Sequence, residues 1–205
     1  MHYVFNHIPK CGGSSVIHVL KNWGEIVYDY SNEIDKSIVL TKNQILCGHY
    51  LPIRYPVLLI NNQISIFSFI REPLSLRISL YYYHRNRNRF LDLTLDEYIQ
   101  FVTIQYPNLI SSCLGCNEDN YVSIINKYLF IGLYEELQES FNILCFLANK
   151  SKITLPRINV SDRDNQNIHT ITKSLFKKEN LLDYEVYLYC KKIYQTKWCK
   201  ILSAT

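Results

Sequence analysis

Apolar positions along the chain follow two rhythms. Near-continuous apolar runs occupy residues 2–8, 44–47, 64–70 (ISIFSFI) and 128–133 (YLFIGL), as expected of strands covered on both faces. Between them, apolar residues return every three or four positions. Val16, Val19, Leu20 and Trp23 share one face of a helix predicted over 14–23. Pro73 suits the first turn of a helix continuing over 74–84. Thr94-Leu95-Asp96-Glu97 has the capping-box form and opens a helix to about Thr103. Further helices are predicted over 118–127, over 135–149 with acidic residues in its first turn, over 170–178 and over 181–199, with 151–164 irregular.

Strands alternating with helices predict an α/β fold, a three-layer sandwich whose central sheet is mainly parallel. Ligands of such sheets bind beyond the carboxyl ends of the strands. That rule gathers the loop after Ile8, the loop at Gly48-His49 and the loop after Ile70. Residues 1–205 read as one domain.

With 48% hydrophobic and 20% charged residues, the composition is that of a globular chain. A net charge of +4 allows an acidic partner without demanding nucleic acid. The seven cysteines, an odd number, lie mostly in apolar runs such as NILCFL and YLYCKK, and read as buried free thiols of a reducing compartment. Cys113 and Cys116 form one C-x-x-C without the second pair or nearby histidines of a zinc site, so no metal is expected. The N-terminus enters a strand directly, with no basic leader ahead of an apolar stretch. No run approaches the roughly 18 apolar residues of a spanning helix. The expectation is a cytoplasmic protein.

Two loops carry candidate chemistry. In HIPKCGGSSV, a strand runs into Lys10-Cys11-Gly12-Gly13-Ser14-Ser15 and then a helix. Glycines let a ligand approach the main chain, the next helix turn presents its amides, Lys10 adds a charge, and the serines add hydroxyls. This suits a phosphate or sulfate. The lysine precedes the glycines, unlike the triphosphatase pattern G-x-x-x-x-G-K-[ST]. A plain helix start capped by Ser14 reads equally from the same residues. In SFIREPLSLRISLYYY, Arg71 ends a strand and Ser79 lies about two turns into the following helix. The two can grip one phosphate, the arginine as a planar fork; an Arg71–Glu72 pair beside a solvated serine is the alternative.

Together these loops make the sequence resemble the 3′-phosphoadenosine 5′-phosphosulfate (PAPS)-dependent sulfotransferases, particularly the carbohydrate branch with the uronyl 2-O-sulfotransferases. HIPKCGGSSV is similar to the family's 5′-phosphosulfate loop and SFIREPLSLRISLYYY to its 3′-phosphate motif. CGHY at 47–50, IGLYEELQESFNIL and LPRINVSDR follow in the family's order. The resemblance implies a P-loop-NTPase-like sulfotransferase fold and sulfuryl transfer from PAPS to an acceptor hydroxyl, with a carbohydrate as the expected acceptor and 3′-phosphoadenosine 5′-phosphate (PAP) as product. It departs from the family at Cys11 and Ser14, where threonine is frequent, and at Cys47, where some members carry a second histidine.

What the resemblance implies for the site follows residue by residue. Lys10 serves the leaving oxygen, and Cys11, Gly12, Gly13, Ser14 and Ser15 hold the 5′ side, Cys11 through its amide. Arg71 and Ser79 hold the 3′-phosphate. Asn159 and Arg163 close over the donor. His49 is the candidate base, since an imidazole titrates near neutrality; a structural histidine after a Gly turn is the alternative. The cluster HRNRNR at 84–89, with Arg85 and Arg87, either receives an acidic acceptor or is a solvated helix end. Rival readings are a nucleotide or sugar kinase, a non-catalytic nucleotide-binding protein, and an RNA-binding module using HRNRNRF.

Overall fold

The computed structural model describes residues 2–31, 40–158 and 167–200. Among them, β1 (His2–Asn6), β2 (Glu25–Asp29), β3 (Gln44–Gly48), β4 (Ile64–Ile70) and β5 (Phe130–Leu133) form one sheet in the order β2-β3-β1-β4-β5. Every neighbouring pair is parallel. Burial on both faces accounts for the unbroken apolar runs: Val4, Phe5, Ile45, Leu46, Phe67 and Phe69 are all buried. Phe5 stacks on Phe67 with centroids 5.2 Å apart and meets Phe69 edge-on at 6.0 Å, a contact preferred for the ring quadrupole.

Nine α-helices are described: α1 (Gly13–Leu20), α2 (Leu51–Arg54), α3 (Pro73–Arg85), α4 (Leu95–Gln105), α5 (Leu109–Leu114), α6 (Tyr121–Ile125), α7 (Leu137–Leu147), α8 (Thr170–Glu179) and α9 (Leu181–Ile193). The main core lies between helices and sheet, and a smaller aromatic cluster around Tyr81, Tyr98 and Phe176 lies under α3, α4 and α8. None of the described helices is long and apolar enough to cross a membrane.

Several boundaries differ from the sequence expectation. The first helix ends at Leu20, and Trp23 belongs to a turn that packs it on Tyr3 and Phe141, each at 5.8 Å. β2 escapes a burial pattern because it is an edge strand with no buried residue. The helix predicted over 118–127 shrinks to α6: the Asn117 side chain accepts from the amides of Asp119 and Asn120, each at 3.1 Å, and holds a turn there. A 3₁₀ turn at Tyr134–Glu136 precedes α7, and a π-helical turn at Tyr194–Trp198 follows α9.

The strand order reverses around β1, whose carboxyl end therefore opens a crevice between the loops after β3 and β4. Asn6 fixes that end. Fully buried, its amide donates to the Cys113 carbonyl and the Tyr128 hydroxyl, each at 2.9 Å, and its carbonyl oxygen accepts from the Leu51 amide. The Ser68 hydroxyl on β4 donates to the Asn6 main-chain carbonyl at 2.7 Å. One satisfied polar residue thus ties β1 to β4, α2 and α5 just before the first loop.

Candidate active site

The loop after β1 is wound tightly. Lys10 has φ 64° and Gly12 has φ 82°, both left-handed. Gly12 accepts this without strain, and its conformation turns the chain directly into α1, whose first internal bond runs from the Val16 amide to the Gly12 carbonyl. Gly12 therefore occupies the cap position, with no side-chain cap, and Gly13, Ser14 and Ser15 form the first turn. The Ser14-capped start does not occur. Gly13 is required sterically: a Cβ there would lie 1.9 Å from Nε2 of His7. The Cys11 side chain turns into the core, and burial pushes its thiol pKa well up; only its main chain remains for the loop.

The loop after β4 brings the second group. Arg71, 7% exposed, donates to the Lys10 carbonyl at 3.4 Å and lies 4.2 Å from the Tyr134 ring centroid. A cation over the ring at this distance is a cation–π contact, and a guanidinium can also form a planar fork where an ammonium cannot. Glu72 caps α3, its carboxylate accepting from the amides of Leu74 at 3.2 Å and Ser75 at 2.7 Å and from the Tyr184 hydroxyl. Ser75, Ser79 and Tyr83 recur at intervals of four along α3 and all line the crevice. Lys10 Nζ sits 4.5 Å from the Tyr83 ring centroid, with Arg87 4.0 Å from the same ring.

The third group follows β3. His49 Nδ1 donates to the main-chain carbonyl of His7. A carbonyl only accepts, so the neutral ring carries its proton on Nδ1 and leaves the Nε2 lone pair available. Burial lowers the His49 pKa, the nearby Arg54 charge adds to this, and the bond to His7 partly opposes it. Tyr50, with φ 53°, makes the elbow that starts α2. Behind it, Arg54 pairs with Asp29 and donates to the carbonyls of Asp29 at 3.0 Å and His49 at 3.3 Å. The His7 ring lies 4.8 Å from His49, and its Nδ1 is 3.0 Å from the Tyr30 hydroxyl. Burial, with the His49 charge adding, depresses the His7 pKa to about 3; His7 is neutral at any working pH.

These groups meet in one cavity of about 1280 Å³. Its wall includes Lys10, Gly12, Gly13, Ser14, Ser15, His49, Arg71 and Ser79. A second segment, 155–158, closes one side: Gln138 on α7 accepts from the Leu155 amide at 2.8 Å and donates to the Ile153 carbonyl, and Ser15 Oγ accepts from the Ile158 amide at 3.5 Å.

No protein-family model matches the sequence, and no curated protein matches it. The solved structures do match. A sulfotransferase from Alicyclobacillus acidocaldarius superposes with a TM-score of 0.56 at 13% identity, over 90% of this chain and 92% of the other. Mouse sulfotransferase SULT7A1, complexed with PAP, superposes with a TM-score of 0.52 at 13% identity, over 89% of this chain and 64% of that one. The fold is that of sulfotransferases.

Within this sulfotransferase fold, two expected site residues, Asn159 and Arg163, lie outside the described residues. Arg85 and Arg87 are described but do not line the cavity; Arg85 donates to the Tyr81 hydroxyl at 2.8 Å. Sequence reasoning missed Arg77, Tyr134 and Arg157, all on the cavity wall. Arg77 had a signal: α3 buries Pro73, Leu76, Arg77, Leu80 and Tyr81, so a charge occupies the apolar stripe. Tyr134 and Arg157 lie in segments that follow the family's order, IGLYEELQESFNIL and LPRINVSDR, but no local pattern marks either residue: Tyr134 opens the 3₁₀ turn before α7 and Arg157 belongs to a stretch without regular structure. No group of three or more His, Cys, Asp or Glu side chains suited to a metal ion occurs among the described residues.

Proposed function

We propose that the protein is a PAPS-dependent sulfotransferase acting on an acceptor hydroxyl, on a carbohydrate in the first instance. The observation carrying this reading is the shared cavity of the Lys10–Ser15 loop, the buried Arg71 and Ser79 and the Nε2-free His49. The donor's chemistry fits the residues present. Gly12 and Gly13 let the loop close against Leu137 and His7, where a Cβ would lie 2.6 and 1.9 Å from those side chains, and Arg71 with Ser79 adds a second oxyanion grip. PAP in the mouse enzyme of the same fold supports the same assignment.

Bound there, PAPS supplies the sulfuryl group and leaves as PAP. The amides of Gly13, Ser14 and Ser15 and the positive end of α1 hold the 5′ side. Lys10 stabilises charge developing on the leaving oxygen. Arg71 and Ser79 recognise the 3′-phosphate. His49 removes the acceptor proton at Nε2, and its bond to His7 stabilises the imidazolium as it forms. Walls of the cavity hold donor and acceptor in line.

The test is transfer of radiolabelled sulfate from PAPS to a panel of glycan, phenol and small-metabolite acceptors. The proposal predicts a labelled product with the wild type and strongly reduced product with His49→Ala. Absence of labelled product across the panel, despite tight PAP binding, would favour a non-catalytic binding protein.

A further inference from the structure

The cavity extends past the donor loops to a wall made by Tyr50, Tyr98, Phe101, Val102, Tyr106 and Leu109. A buried cation stands in it. Arg77 is 5% exposed, lines the cavity, and donates to the main-chain carbonyl of Tyr106. Among the described residues, no carboxylate lies within ion-pair distance of it. Asp183 acts on Arg77 through space. That carboxylate is already occupied by the amides of Ile110 at 2.9 Å and Ser111 at 2.8 Å and by the Ser111 hydroxyl at 2.7 Å. A guanidinium carries five N–H donors. Arg77 is not among the buried side-chain groups without a partner, a set that among the described residues holds His84 Nδ1; its N–H groups not given to Tyr106 therefore open on the cavity, where an oxyanion can accept from them.

The surroundings indicate where that oxyanion sits. Tyr50 directly follows His49 and lies in the electrostatic field of Arg77, so the cation stands on the base's side of the cavity. Ser75, Ser79 and Tyr83 recur every four residues on a face of α3 about half a turn from Arg77, and Tyr83 on that face meets Lys10 Nζ at 4.5 Å. Phe101 and Tyr106 present exposed ring surface beside Arg77, enough to pack a cyclic acceptor.

We propose that Arg77 is the acceptor-specificity residue, binding an oxyanion, a carboxylate or a sulfate ester, carried by a cyclic acceptor whose hydroxyl faces His49. This rests on the sulfotransferase reading above. It moves acceptor recognition from Arg85 and Arg87, at the end of α3, to a buried position on its flank.

The experiment titrates three matched probes into PAP-saturated protein by calorimetry: 4-nitrophenyl β-D-glucoside, its glucuronide and its 6-sulfate. The glucuronide or the 6-sulfate is expected to bind at least about tenfold more tightly than the neutral glucoside, as charge-assisted bonds warrant; which of them gains identifies the anion. Arg77→Gln, which keeps a donor for the Tyr106 carbonyl, should abolish the preference while leaving PAP affinity within about twofold, and Arg77→Lys should restore part of it. Equal affinity for all three probes, binding of none, or a preference retained in Arg77→Gln overturns the proposal. The wild-type comparison stands even if the variants do not fold. Should PAP itself fail to bind, the donor reading falls, and the same three titrations on the unliganded protein still read Arg77.

Discussion

The ring of His49 is held by the main chain of His7, whose carbonyl accepts the Nδ1 proton. The bond does not depend on the side chain of residue 7, but that side chain packs 4.8 Å away against His49 and reaches Gly13 in the donor loop. The proposed base and the proposed anion loop thus share one intermediary at the end of β1.

The first prediction concerns His49 itself. His49→Ala should lower kcat by about 10² to 10⁴ while PAP affinity, measured by calorimetry, changes little. Because burial depresses its pKa below the ordinary imidazole value, the active, neutral form persists to lower pH. The kcat/KM profile should therefore be flat through neutrality and fall only on an acidic limb below about pH 6.5; a limb centred above that value would contradict the assignment.

Gly13→Ala would drive a methyl into the His7 ring. Overpacking of this kind costs about 1–3 kcal/mol, and the shift falls on the first turn of α1, so PAP binding should weaken as well. His7→Ala in the same chain opens the space. Thermal melts should show the double variant recovering part of the Gly13→Ala loss, a non-additivity expected of touching residues.

Arg71→Lys keeps the charge but loses the planar fork and the guanidinium's contact over the Tyr134 ring. PAP affinity should fall about 10- to 100-fold. Affinity for adenosine 5′-phosphate, which lacks the 3′-phosphate, should hardly move. Equal losses for both nucleotides would place Arg71 elsewhere in the site.

Asp29 and Arg54 support the His49 elbow from behind. Burial raises the Asp29 pKa, but hydrogen bonds from Arg54, Tyr55 and Ser31 outweigh it and hold the carboxyl well below the usual range. A depressed folded pKa contributes stability that is present above the unfolded value, about 3.9, and is lost as pH falls through the folded one. Asp29→Asn leaves Arg54, 4% exposed, without its counter-charge, and should cost about 3–5 kcal/mol near neutrality. In melts at decreasing pH, the gap from wild type should narrow only in strong acid.

The sheet and the helix starts were legible because each rests on local pattern. ISIFSFI is apolar but for two serines and becomes a strand buried on both faces, and Pro73 and the Thr94 capping box open helices where expected. The arrangement of Gly12 and Gly13 was half legible: the glycines signalled a turn, but that Gly13 makes room for His7 depends on a contact across the loop. Residue 50 gave no warning that a tyrosine would take φ 53°. Arg77 stands between the motif residues Arg71 and Ser79, and its signal is of another kind, a charge placed in the apolar stripe of α3. Arg85 and Arg87 belong to a conspicuous basic run and pack on Tyr81 and on Tyr83, of which Tyr83 lines the cavity and the two arginines do not.

The most direct test of the central claim compares PAP with adenosine 5′-phosphate by calorimetry in magnesium-free buffer containing a chelator. A site gripping both phosphates should bind PAP at least about 100-fold more tightly, since the second grip adds charge-assisted bonds, and should do so without a divalent cation. Equal affinity for the two nucleotides, or tight binding of ATP that requires magnesium, would contradict the sulfotransferase account and favour a kinase.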